Sequence, residues 1–142
     1  MAQKWEHARV TCSGFASGRE LGCVEFGPDD LRRVREVVRT IAAERIPDRA
    51  DNAVLAVHEV AVNSIIHGGG HGVLRIDETD DALVFTVEDE DGTGTVPELV
   101  SAADHHATSG RGLWIAQRLS DELVIDARPS HTRVRVHLSL VS

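Results

Sequence analysis

The chain has 142 residues, 42% hydrophobic and 27% charged, with 15 Lys and Arg against 23 Asp and Glu for a formal charge of −8. That length suits a single domain, and the composition is that of a folded chain rather than a disordered one. The acidic balance argues against a duplex nucleic-acid surface, which normally carries a basic stripe, but not against a phosphate ligand held by backbone N–H groups.

Residues 1 to about 19 are polar, carry Gly14 and Gly18, and read as an irregular arm. Leu21 to Phe26 is short and β-prone and ends at Gly27-Pro28, a turn. Asp29 or Asp30 then caps a helix in which Leu31, Val34, Val37, Val38 and Ile41 recur at three- and four-residue steps. Arg32, Arg33, Arg35, Glu36 and Arg39 take its other side, and Pro47 ends the region. A second helix is predicted from an N-cap at Asp51 to His67, where Gly68-Gly69-Gly70 stops it.

Val73 to Ile76 and Leu83 to Asp89 read as strands around the acidic turn 77–81. Residues 95 to 110 hold Pro97 and a polar run through His105-His106, and read as a lid-length loop. A third helix is expected from Leu113 to Leu119, then a strand over Leu123 to Ala127 and a last strand from Thr132 to Leu140. In that strand Val134, Val136 and Leu138 alternate with Arg133, Arg135 and His137, the pattern of a strand with one wet face. The order of elements predicts an α+β domain: a mixed, mostly antiparallel sheet with about three helices on one face.

No apolar run reaches membrane-spanning length, and the opening residues lack an apolar signal segment. Cys12 and Cys23 are too few for a disulfide framework. A cytoplasmic protein is the expectation.

The second helix is apolar around most of its circumference, yet Glu59, Asn63 and His67 fall at i, i+4 and i+8 on one stripe roughly 80° wide. A carboxylate and an amide on such a helix need either water or a partner. Facing water, the stripe is ordinary; lining a pocket, it offers Glu59 as a general base and Asn63 as an oxygen ligand for a hard cation. Asp89 shares parity with Leu83, Phe85 and Val87, so an apolar strand face ends in an inward carboxylate that needs a donor. That donor is either a backbone N–H or the amino group of a ligand base. Gly92-x-Gly94 follows it, and Gly110-Arg111-Gly112 opens the third helix, where N–H groups and the helix dipole suit phosphate.

Each glycine pair is a weak signal alone. In this order, however, the set resembles the ATP-binding module of the GHKL superfamily, shared by DNA gyrase, histidine kinases and a heat-shock chaperone. Glu59-x-x-x-Asn63 resembles the N-box, Asp89 through Gly94 the first glycine box, and Gly110-x-Gly112 the second. The segments LAVHEVAVNSIIHG over 55–68, GRGLWIA over 110–116 and TRVRV over 132–136 are most similar to the small bacterial anti-sigma-factor serine/threonine kinases. The likeness runs over about residues 21 to 140.

The resemblance implies a two-layer α/β sandwich of the Bergerat type that binds ATP and Mg²⁺. It implies that Asp89 reads adenine, that Asn63 holds Mg²⁺, and that Gly92, Gly94, Gly110, Arg111, Gly112 and Leu113 belong to the nucleotide-binding loops. Glu59 is implied as the catalytic base for a serine hydroxyl on a partner protein, with His67 in support. The implied partners are a sigma factor and an anti-anti-sigma protein, without direct nucleic-acid or membrane contact; the resemblance also allows a homodimer. One departure matters. The family's box reads Asp-x-Gly-x-Gly, and Asp89-Glu90-Asp91-Gly92-Thr93-Gly94 has one residue too many. Either a bulge absorbs it or Glu90 takes the place of Asp89.

Three functions compete on this reading. The first is a protein kinase that also sequesters a sigma factor. The second is a partner-holding switch that binds nucleotide weakly or not at all. The third, a histidine-kinase fragment, would need a helical dimerisation segment with a phospho-accepting His upstream, for which residues 1 to 19, with Gly14 and Gly18, read as too short. The histidines 67, 71, 105 and 106 match no familiar zinc spacing.

Overall fold

The computed structural model describes residues 18–90, 111–128 and 130–140. The predicted arm and lid, and with them Gly92, Gly94 and Gly110, lie essentially outside that range. The elements are β1 (Arg19–Phe26), α1 (Leu31–Arg45), α2 (Ala50–His67), β2 (Gly72–Glu78), β3 (Ala82–Glu90), α3 (Arg111–Leu119), β4 (Glu122–Arg128) and β5 (His131–Ser139). The strands form one open sheet in the order β1-β2-β3-β5-β4. Every pairing is antiparallel, so among the described residues the expected mixed sheet is wholly antiparallel. The fold is α+β, with the helices packed against one sheet face.

Local chemistry explains the helix ends. Pro28–Asp30 forms a 3₁₀ turn in which the Gly27 N–H donates to Asp30 Oδ2 at 2.9 Å, and α1 follows directly. It ends at Arg45 because Ile46 precedes Pro47, and a residue before proline is pushed out of the helical region. A second 3₁₀ turn, Pro47–Arg49, runs straight into α2. The helix therefore starts at Ala50, one residue before the expected cap, and no side chain caps it. Asp51 sits inside the first turn, where its charge suits the helix dipole, and accepts from Arg39 at 2.6 Å. At the other end the Gly68 N–H donates to Ser64 O at 2.7 Å, and Gly70 turns the chain at φ +90°, which an L side chain resists.

The core lies between the layers. Val34 and Val38 of α1, Val57 and Val60 of α2, Leu113 and Ala116 of α3, and Leu74, Ile76, Phe85, Val136 and Leu138 of the sheet are essentially sealed from solvent. The expected third helix begins two residues early, at Arg111. Among the described residues no helix is long and apolar enough to cross a membrane.

The outer sheet face departs from the simple alternation. On β3, Val84, Thr86 and Glu88 are as buried as the inward residues. Thr86 is flanked in register by Arg75 and Arg135. Arg75 donates to Asp77 at 2.9 Å, while Glu88 accepts from Arg133 at 3.2 Å and hydrogen-bonds His131 Nε2 at 2.8 Å. On β5 the predicted alternation holds, with Val134, Val136 and Leu138 buried and Arg133, Arg135 and His137 partly exposed, and the outer face is knitted by charge pairs as long arginine stems lie along apolar surface while their heads pair. Glu88→Ala is expected to cost about 2 kcal/mol, since it strips a charged acceptor from two donors. A urea midpoint shifted down at unchanged m would show this; an unchanged midpoint would refute it.

Candidate nucleotide-binding site

The polar stripe of α2 runs along the border between core and solvent. Val57, Val60 and Ala61 are buried, while Glu59, Asn63 and His67 are half-buried. Glu59 and Asn63 are one helical turn apart, about 6 Å along the axis. Gly112, in the first turn of α3, lies directly over Glu59. A Cβ at that position would stand 3.0 Å from Glu59 Oε1 and 3.5 Å from its backbone oxygen. Glycine there allows the start of α3 to rest on the Glu59 carboxylate. Gly112 thereby lets α3 pack onto α2.

Strand parity places the next carboxylate. β3 pairs with β5 without interruption as far as Glu90 opposite His131. Asp89 therefore points towards the helix layer and is 6% exposed, whereas Glu90 is exposed on the opposite face. The extra residue of the first glycine box is not absorbed within β3; the bulge considered for it would fall outside the described residues. Asp89, not Glu90, is the carboxylate that faces the helix layer.

Asp89 meets a donor that the sequence reading overlooked. Ser64 Oγ donates to Asp89 Oδ2 at 2.8 Å, a buried bond between α2 and β3. The other oxygen, Oδ1, is buried with no hydrogen-bond partner among the described residues. Gly68 closes the seat. A Cβ there would lie 2.6 Å from Asp89 Cγ and 2.7 Å from Oδ1, with Ser64 O at 2.4 Å. Burial pushes the Asp89 carboxyl above its ordinary value. The Ser64 hydroxyl pulls it back, followed by His131 and His71, while Glu88 pushes it up. Two signals could have found Ser64. It follows Val57 and Val60 at i+7 and i+4, on the core-facing stripe, and a hydroxyl on such a stripe needs a partner.

The remaining candidates are placed as follows. Arg111 is the first residue of α3. Leu113 is fully buried in the core, so what it can offer a ligand is its backbone N–H, not its side chain. Asn63 presents an amide oxygen, a hard donor suited to Mg²⁺. Among the described residues no three His, Cys, Asp or Glu side chains converge as metal ligands. The orphaned Asp89 Oδ1, buried beside Gly68, is an acceptor that a ligand donating a hydrogen bond would satisfy.

The family model described as the histidine kinase-like ATPase domain matches residues 24–138. The chain belongs to that family, within the GHKL superfamily. The solved structure of the Acinetobacter baumannii histidine kinase AdeS resembles this chain with a TM-score of 0.50 at 12% identity, covering 86% of this chain and 69% of that one. At that identity the likeness is one of fold. No curated protein sequence matches the chain.

Proposed function

We propose that this chain is an ATP- and Mg²⁺-binding bacterial regulator, an anti-sigma factor that phosphorylates a serine or threonine of an anti-anti-sigma partner in the cytoplasm. Family membership supports nucleotide binding. The observation that carries the reading is Asp89 Oδ1, a buried acceptor on the helix side of the sheet without a partner among the described residues. An adenine amino group supplies the missing donor.

The roles divide among the chain's own groups. Asp89 orients the base, and Asn63 offers oxygen to the ion. Backbone N–H groups at the start of α3 face the phosphate end, where the helix dipole favours anions. Bound Mg²⁺ neutralises phosphate charge. Glu59 receives the proton of the partner's hydroxyl as its oxygen bonds to phosphorus and the bond to the leaving diphosphate breaks. Such chemistry is mostly positioning and charge neutralisation, which a half-buried carboxylate held under α3 can serve. A sigma factor, the second partner of this reading, is held by surface contacts rather than by this chemistry.

Calorimetry with ATP and Mg²⁺ tests the site. Wild type is expected to bind, and Asp89→Ala to lose about two orders of magnitude in affinity, because the base loses its acceptor inside a closed seat. Binding unchanged by the substitution would sink the adenine assignment. Incubation with labelled ATP and the cognate anti-anti-sigma protein tests the reaction, with phosphoserine or phosphothreonine as the expected product.

One observation favours a second reading, a partner-holding switch that binds nucleotide weakly. β3 stays in register to Glu90, so nothing in the described strand absorbs the extra residue that the sequence carries before Gly92. Partner control in cells that survives Glu59→Ala would favour the switch over the kinase.

A further inference from the structure

Ser64 ties the helix that carries Glu59 and Asn63 to the strand that carries Asp89. Both ends of this bond are buried, Ser64 at 4% and Asp89 at 6% exposure. An unanchored carboxylate can rotate and exchange its two oxygens. Here the hydroxyl commits Oδ2, and the backbone of Gly68 stands against the carboxyl carbon, leaving Oδ1 as the oxygen without a partner. The seat is thus built so that one oxygen is used up by Ser64, while the other lies buried beside Gly68 with no hydrogen-bond partner among the described residues.

We propose that Ser64 is a positioning and specificity-determining residue, whose hydroxyl locks Asp89 so that Oδ1 meets a purine only as an acceptor and selects a 6-amino over a 6-oxo base. This rests on the adenine reading of the site. An ionised carboxylate can only accept hydrogen bonds, whereas a protonated one can also donate. A 6-amino group donates and pairs with the ionised form. A 6-oxo group accepts, is repelled by the ionised form, and is welcomed by the protonated one. Selection against 6-oxo purines therefore requires Asp89 to stay ionised in a buried place, where burial favours the proton.

Ser64 opposes that tendency by bonding the charged form. Other charged or titratable groups also act on Asp89: His131 on β5 and His71 before β2 favour ionisation, and Glu88 on β3 disfavours it. These are unchanged in a Ser64 variant, so a difference from wild type isolates the hydroxyl. Alanine fits the helix at least as well as serine and removes only the oxygen. Two carboxylate oxygens would then lie buried without a donor from α2, free to exchange and readier to hold a proton.

The test measures ATP and ITP binding with Mg²⁺, at neutral and at mildly acidic pH, for wild type and for Ser64→Ala, Ser64→Cys and Ser64→Thr. ITP differs from ATP at the base by a 6-oxo group in place of the 6-amino group and by the proton this puts on N1. Wild type is expected to prefer ATP by about 100-fold. Ser64→Ala should cut that preference about tenfold at acidic pH and move the acid loss of ATP binding to higher pH. Ser64→Thr should restore both. Ser64→Cys, of similar volume but a weak donor, should fall between, and it carries the test should the alanine variant fail to fold. A preference and a pH profile unchanged in the alanine or cysteine variant, with ATP and ITP weakened equally, would overturn the inference alone. A wild type that binds neither nucleotide would overturn the adenine reading and this inference with it.

Discussion

Glu59→Gln is expected to lower phosphoryl transfer to the partner by about 10² to 10⁴, the usual worth of a positioned general base. ATP affinity should stay within about threefold of wild type, because the side chain is asked to act on the reaction and not on the bound ground state. Glutamine keeps the volume under Gly112, whose missing Cβ leaves 3.0 Å to Glu59 Oε1, so the packing of α3 on α2 should survive. This split discriminates between two roles. A base loses turnover with binding intact. A mere strut beneath α3 would lose binding and thermal stability together, and that pattern would remove Glu59 from the mechanism. Single-turnover phosphorylation and calorimetry on the same preparations give both numbers.

Gly68→Ala should have the largest effect on the site for its size. Its new methyl would stand 2.4 Å from Ser64 O and 2.6 Å from Asp89 Cγ. None of these is the end of a flexible chain: one is helix backbone, and the other a carboxyl pinned by Ser64. Either the end of α2 shifts or Asp89 leaves its seat. Relief of such overpacking typically costs about 1–3 kcal/mol, and the Ser64–Asp89 bond breaks in the process. We expect a melting temperature lower by several degrees, about 4 per kcal/mol at this chain length, and ATP binding weakened at least about 100-fold. Gly70→Ala is the control. Gly70 adopts φ +90° with open space around its missing Cβ, so alanine there strains only the backbone, about 1 kcal/mol, and should spare binding. Equal losses of ATP binding in the two variants would show that the glycine run matters only as a turn.

Much of the scaffold was legible because it rests on local periodicity. The apolar spacing of 31–41 and the run to His67 located α1 and α2, and the alternation of 132–140 located β5. Parity also placed Asp89 inward and Glu90 outward, since a regular strand leaves no freedom once Phe85 and Val87 face the core. The start of α2 was misread because a second 3₁₀ turn takes the place of a side-chain cap. The burial of the charged outer face on β2 and β3 was not legible, because alternation weighs hydrophobicity alone, and Arg75, Asp77 and Glu88 are sheltered by pairing, not by being apolar. The Ser64–Asp89 bond and the Gly68 seat were invisible for a different reason. They join residues 21 to 25 apart in the chain, and no local pattern encodes which hydroxyl a strand will meet.

The strand order β1-β2-β3-β5-β4 has a kinetic corollary. The β2–β3 and β4–β5 hairpins and the α1–α2 pair close over short stretches of chain and can form early. The β1–β2 and β3–β5 pairings each span two elements, and closing such loops costs entropy before any contact rewards it. Those late pairings complete the frame that holds β3 against α2. Recovery of nucleotide binding after dilution from denaturant should therefore lag the recovery of helical signal, and the lag measures the closure of the sheet's centre.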